Sequence, residues 1–88
     1  MSVRINLGSG FQPHIGNREA VEVEGRTVRE CLTNLTRKYP EIKNMLFDEN
    51  GTLLALMVRS QRLIRQDEID MGVVDGDEIS LIAITSGG

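Results

Sequence analysis

The stretch VEVEGRTVRECLTNLTRKYP, residues 21–40, decides how the chain folds. Val21 and Val23 alternate with Glu22 and Glu24, the two-residue period of a half-buried strand, and Gly25 stops it. Thr27 stands three residues before Glu30. That is the spacing of a capping box, in which a threonine oxygen and a glutamate each satisfy a backbone N–H that has no partner within the helix. From there Val28, Cys31, Leu32, Leu35 and Tyr39 recur at i, i+3, i+4, i+7 and i+11, while Arg29, Glu30, Thr33, Asn34, Arg37 and Lys38 fall elsewhere. Pro40 disfavours helical geometry at Tyr39 and ends the helix. The stretch therefore predicts a strand, a glycine stop and a helix that lays one apolar stripe on a sheet.

On the N-terminal side, Val3, Ile5 and Leu7 alternate with Ser2, Arg4 and Asn6, and Gly8 and Gly10 end this first strand. A loop with Pro13, Gly16 and Asn17 joins it to the second strand, which predicts an N-terminal hairpin. On the C-terminal side, residues 41–50 are ambiguous; Ile42, Met45, Leu46 and Phe47 suit a short apolar-anchored turn of helix before an Asn50-Gly51 turn. Residues 53–58 read as a third strand and residues 62–64 as a short fourth one at a sheet edge, where arginines oppose edge pairing. Asp75-Gly76 turns into a last strand at 78–84, with Ile79, Leu81 and Ala83 on one face and Ile82 and Ile84 on the other. This order is α+β: one main helix packed across one face of a mixed sheet of four to five strands, with residues 1–84 as the domain and 85–88 as a tail.

Length and composition bound the function. At 88 residues and 9.8 kDa there is room for one core, and 40% hydrophobic with 26% charged residues is the balance of a soluble globular domain. A net charge of −3, with Phe11, Tyr39 and Phe47 as the three aromatics, argues against a nucleic-acid partner. The single cysteine, Cys31, can form neither an internal disulfide nor a CxxC pair nor an iron–sulfur cage; on the helix stripe it reads as a small buried hydrophobe with a raised pKa. His14 has no second ligand at metal spacing and reads as a surface residue. The start MSVRINLGSG lacks a signal-peptide pattern, and the apolar run at 53–58 is too short to span a bilayer, so the expectation is a cytoplasmic protein with no membrane partner. Pro13 stands where the third glycine of GxGxxG would be, and no GKS/T, GxSxG or HExxH motif occurs. An autonomous enzyme is not expected.

The last residues, Thr85-Ser86-Gly87-Gly88, carry the remaining signal. Two glycines give a thin, pliable strand able to enter a narrow channel and offer its terminal carboxylate as the reacting group; a frayed end is the plain alternative. A carboxylate donates its acyl group only once its oxygen becomes a good leaving group, which requires an activating enzyme and a nucleotide. Ile82 and Ile84, outward on the last strand, are candidates for docking that partner, or else lie under another element. Residues 66–88 hold Asp67, Glu68, Asp70, Asp75, Asp77 and Glu78 with no Lys or Arg, either a solvated acidic loop or a rim that steers the tail towards a basic partner.

Taken in order, VEVEG at 21–25, TVRE at 27–30, YP at 39–40, LFDENG at 46–51, DGDEI at 75–79 and GG at 87–88 resemble the MoaD/ThiS family of ubiquitin-like β-grasp sulfur carriers. The resemblance implies that a MoeB/ThiF-like activating enzyme uses ATP to adenylate Gly88, with Gly87 as its slim neighbour and Ser86 and Thr85 helping to present it. A sulfur donor then makes a thiocarboxylate that passes sulfur to a biosynthetic acceptor. The carrier binds no cofactor of its own and presents its tail without catalysing. The length and the segment at 41–54 look like the MoaD branch, which implies a molybdopterin synthase small subunit acting with the large subunit. No proline precedes the glycines, and Arg59-Ser60 stands where Asn-Gly is common, so thiamine-type or cysteine-pathway carriers stay open. So do a modifier joined to lysines through Gly88 and a non-covalent β-grasp interaction module.

Overall fold

The computed structural model describes residues 1–83. Strands β1 (Ser2–Leu7) and β2 (Ala20–Glu24) form the expected antiparallel hairpin, with Val3 opposite Val23 and Ile5 opposite Val21. Helix α1 (Val28–Lys38) follows, then a single turn of 3₁₀ helix at Pro40–Ile42 that leads into the short α2 (Lys43–Leu46). The chain continues through β3 (Leu56–Arg59), β4 (Arg62–Ile64) and β5 (Glu78–Ile82). The five strands lie in the order β2-β1-β5-β3-β4, and the β1–β5 pair is parallel while the rest are antiparallel. This is the mixed sheet of an α+β fold, with β5 between β1 and β3 at its centre.

Thr27 is the N-cap of α1, and its Oγ1 accepts from the Glu30 N–H at 3.1 Å. The Glu30 carboxylate reaches one residue beyond the cap, accepting from the Arg26 N–H at 3.1 Å rather than from Thr27. Two more helix-end N–H groups, of Val28 and Arg29, donate to the carbonyls of Met71 and Ile69, so the crossover after β4 caps the helix that β2 launches. Val28, Cys31, Leu32 and Leu35 are buried against Val3, Ile5, Met57, Ile79 and Leu81, and full burial of each large apolar side chain contributes about 1.5–3 kcal/mol. Phe11 and Ile15, in a loop whose sequence has no strand or helix period, are also fully buried.

The third strand begins later than its apolar run suggests. Leu53 makes an isolated bridge to Phe47, and the Leu54 N–H donates to the Leu46 carbonyl at 2.7 Å, so residues 53–54 cover α2 before the ladder starts. The β3–β4 hairpin turns on Ser60 and Gln61, both at positive φ (53° and 63°), which matches the twist of a two-residue hairpin without the usual glycine. At the opposite margin, the outward carbonyls of β2 are occupied: Lys38 Nζ donates to Glu22 C=O at 2.9 Å and Asn34 Nδ2 to Glu24 C=O at 2.7 Å. Helix α1 thereby closes the edge that would otherwise invite another strand.

Candidate functional site

Strand β5 supplies two different faces. Ile79 and Leu81 are completely buried beneath α1, while Ile82 points away from the helix and is 46% exposed. Its register partner on β3 is Leu56, 42% exposed, and two residues on, Val58 faces Leu63 of β4, 55% exposed. The helix-free face of the sheet thus carries one apolar patch of Leu56, Val58, Leu63 and Ile82 across three adjacent strands. Single exposed apolar residues are ordinary; three on neighbouring register positions, with the half-buried Val58 among them, make a surface suited to a protein partner.

The other half of that face is polar. Asn6 Nδ2 donates to Glu78 Oε2 at 2.8 Å, and Arg4 Nε lies 3.1 Å from Asn6 Oδ1 and 3.7 Å from Glu78. Ser80, opposite both Asn6 and Val58, marks the boundary. The face therefore divides into an apolar side over β3, β4 and the end of β5 and a charged side over β1, β2 and the start of β5.

Sequence reasoning found Ile82 and missed Leu56, Val58 and Leu63. The run at 53–58 is apolar throughout, so no polar alternation separates its buried Met57 from its outward neighbours. In RLIR at 62–65 the adjacent Leu63 and Ile64 signal that one must face out, but not which. Ile84, Thr85, Ser86, Gly87 and Gly88, the other predicted site residues, lie outside the described residues.

The acidic rim suggested by residues 66–88 is not a free field of charge. Asp67 pairs with Arg65, Glu68 with Arg62, Asp70 with Arg29, Asp77 with Arg59 and Glu78 with Arg4. Asp75 Oδ1 accepts from the Ser2 N–H at 2.8 Å. The local excess of carboxylates is matched by arginines, three of them distant in sequence (Arg4, Arg29 and Arg59) and two close by (Arg62 and Arg65). The most enclosed of these pairs is Arg59–Asp77, at 2.5 Å. Burial pushes the Asp77 carboxyl up, but hydrogen bonds from the Val74 N–H and the Arg59 guanidinium outweigh it and hold the group below the usual carboxylate range.

Cys31 is fully buried, and burial pushes its thiol up, the environment of an inert cysteine. His14 Nδ1 lies 3.6 Å from Glu41 and is 45% exposed. Among the described residues, no group of three or more His, Cys, Asp or Glu side chains is placed to hold a metal ion, and no helix is long and apolar enough to cross a membrane.

The sequence profile of the ThiS family matches residues 11–88. No curated protein matches the chain. Among solved structures, the chain is similar to the small archaeal modifier protein SAMP1 of Haloferax volcanii, with TM-score 0.84 and 22% identity over 100% of both chains. It is similar to a chain of the Amycolatopsis orientalis BexX/CysO complex, with TM-score 0.83 and 24% identity over 98% of this chain and 99% of that one. It is also similar to a chain in the complex of subunits 1 and 2 of the molybdopterin-converting factor of Helicobacter pylori, with TM-score 0.65 and 22% identity over 100% of both. These likenesses establish the fold as ubiquitin-like β-grasp.

Proposed function

Because the chain belongs to the ThiS family, we propose that it is a sulfur carrier that works from its C-terminus, with the small subunit of molybdopterin synthase as its specific role. The observation that carries this reading is that Ile82, at the end of β5 and part of the patch with Leu56, Val58 and Leu63, precedes Gly87-Gly88 by only a few residues of sequence. A partner seated on that patch grips the rigid domain within a few residues of the carboxylate it acts on. Two of the similar structures are complexes, BexX/CysO and the two subunits of molybdopterin-converting factor, which is how a domain of this fold meets a partner in those proteins.

The chemistry follows from the carboxylate. A Gly88 oxygen attacks the α-phosphorus of ATP on the activating enzyme, and pyrophosphate leaves. Sulfide delivered by a donor then attacks the acyl carbon of the resulting adenylate, AMP leaves, and a thiocarboxylate remains as a sulfur nucleophile. The domain contributes a rigid grip through its patch and a glycine pair narrow enough to thread an active-site channel. Thr85, Ser86, Ile84 and Gly87 form the path between the patch and Gly88.

ATP–pyrophosphate exchange with a MoeB/ThiF-type activating enzyme tests the first step. Exchange that depends on the chain and disappears when Gly88 is deleted supports the reading, and exchange that persists without Gly88 contradicts it. Similarity to a protein named a modifier favours a second reading, in which the activated Gly88 is joined to a lysine. Adducts on target lysines, in place of a thiocarboxylate, would select it.

A further inference from the structure

We propose that Gly10 is a positioning residue that sets where the tail leaves the sheet, through its contact with Ala83; the proposal rests on the carrier reading above. Gly8 N–H donates to Leu81 C=O at 2.9 Å, continuing the parallel β1–β5 seam by one bond beyond β1. The Gly8 carbonyl then accepts from the Phe11 N–H at 3.0 Å, which turns the chain, and the fully buried Phe11 anchors the turn in the core. Gly10 is thereby pressed against Ala83, so closely that a Cβ on Gly10 would lie 2.8 Å from the Ala83 Cβ. A Cβ on Gly8 would lie 3.3 Å from Leu81 O.

Neither glycine occupies the left-handed region, which among the described glycines holds only Gly16, Gly51 and Gly76. Close approach, and not torsion, is what a side chain at Gly10 would violate. Carbon atoms pack best at about 3.5–4.0 Å, so an alanine there forces one backbone to move by about 1 Å, because the Ala83 Cβ has no torsion with which to yield. Ala83 lies between the patch residue Ile82 and the tail, and the five residues after it reach at most about 17 Å. A displacement at Ala83 therefore shifts the tail relative to a partner already seated on Ile82. A misplacement of about 1 Å remote from the reacting atoms can cost up to about a hundredfold in rate.

The test is steady-state ATP–pyrophosphate exchange with a MoeB/ThiF-type activating enzyme, using full-length chains whose folding is verified by thermal unfolding. Gly10→Ala is expected to lower kcat about tenfold at unchanged KM, since the docking patch is untouched. Ala83→Gly in the same chain, which removes the opposing Cβ, is expected to restore the wild-type rate. Ala83→Val, crowding Gly10 from the β5 side, is expected to reproduce the loss, and it decides the matter if Gly10→Ala does not fold. Wild-type kcat in Gly10→Ala and Ala83→Val, a loss carried by KM, or a loss that Ala83→Gly fails to restore overturns the proposal alone. Absence of exchange with the wild-type chain overturns the carrier reading and this proposal with it.

Discussion

Leu56 and Ile82 stand opposite each other on β3 and β5, both on the helix-free face and both more than two-fifths exposed. The pair is apolar where a monomer gains nothing from being so, since the core is complete on the other face through Met57 and Leu81. Leu56→Asp or Leu63→Asp should leave the unfolding temperature near wild type and raise KM for the activating enzyme at least about tenfold, the scale of a lost anchor residue. Arg4→Ala, on the polar half of the same face, should change KM far less. Equal effects of the two kinds of change would mean that the patch is not the docking surface.

The tie between Arg59 and Asp77 should give a pH dependence of defined sign. The Asp77 carboxyl is held below its ordinary range in the folded chain, so its contribution is present above the unfolded value of about 3.9 and is lost as pH falls through the folded value. At pH 7, Asp77→Asn should cost about 1–2 kcal/mol, and the difference from wild type should shrink towards zero in acid. Denaturant melts of both proteins at pH 7 and at a series of lower values down to about pH 2, past the folded value, measure this directly. A gap that persists or widens in acid would contradict the assignment.

Gly25 lies where β2 hands over to α1, and a Cβ there would stand 2.6 Å from Cys31 Sγ and 2.9 Å from the Cys31 backbone nitrogen. Gly25→Ala should destabilise by about 1–3 kcal/mol through overpacking, with Tm falling by about 4–8 °C per kcal/mol. Cys31→Ala in the same chain should relieve only part of this, because the clash with the backbone nitrogen remains. Calorimetry of the single and double variants checks both statements.

Much of this fold was legible in the chain. The alternation in β1 and β2, the Thr27 cap and the stripe through Leu35 each follow from local chemistry, and each stands where its residues indicate. The positive φ of Gly51 and Gly76 likewise matches the turns expected at Asn50-Gly51 and Asp75-Gly76. What was not legible depends on distant partners. Residues 53–54 lie against the end of α2 instead of joining β3 because the Leu54 N–H donates to the Leu46 carbonyl and the Leu53 N–H to the Gln66 side chain, and Phe11 is core because the tertiary fold closes over its loop. The charge balance of residues 66–88 was only partly legible for the same reason, since Arg4, Arg29 and Arg59 reach it from far back in the chain while Arg62 and Arg65 stand close by. Of the candidate site, Ile82 was visible and its apolar neighbours were not, because a uniformly apolar run does not declare its faces.

Helix α1 protects the β2 edge through side chains that sequence reasoning places merely off the apolar stripe. Lys38→Ala together with Asn34→Ala frees the outward carbonyls of Glu22 and Glu24, and self-association through that edge should rise with concentration. Light scattering over a concentration series should show a monomeric wild type and larger species for the double variant. Identical profiles would mean that these two bonds are incidental.

The central claim is that sulfur travels on Gly88, and the intact mass of the chain tests it most directly. After incubation with a MoeB/ThiF-type activating enzyme, ATP and a sulfur donor, the wild-type chain should gain the mass of one oxygen replaced by sulfur, and the chain lacking Gly88 should gain nothing. A wild-type mass that stays unchanged, although the same mixture shows ATP–pyrophosphate exchange, would contradict sulfur carriage.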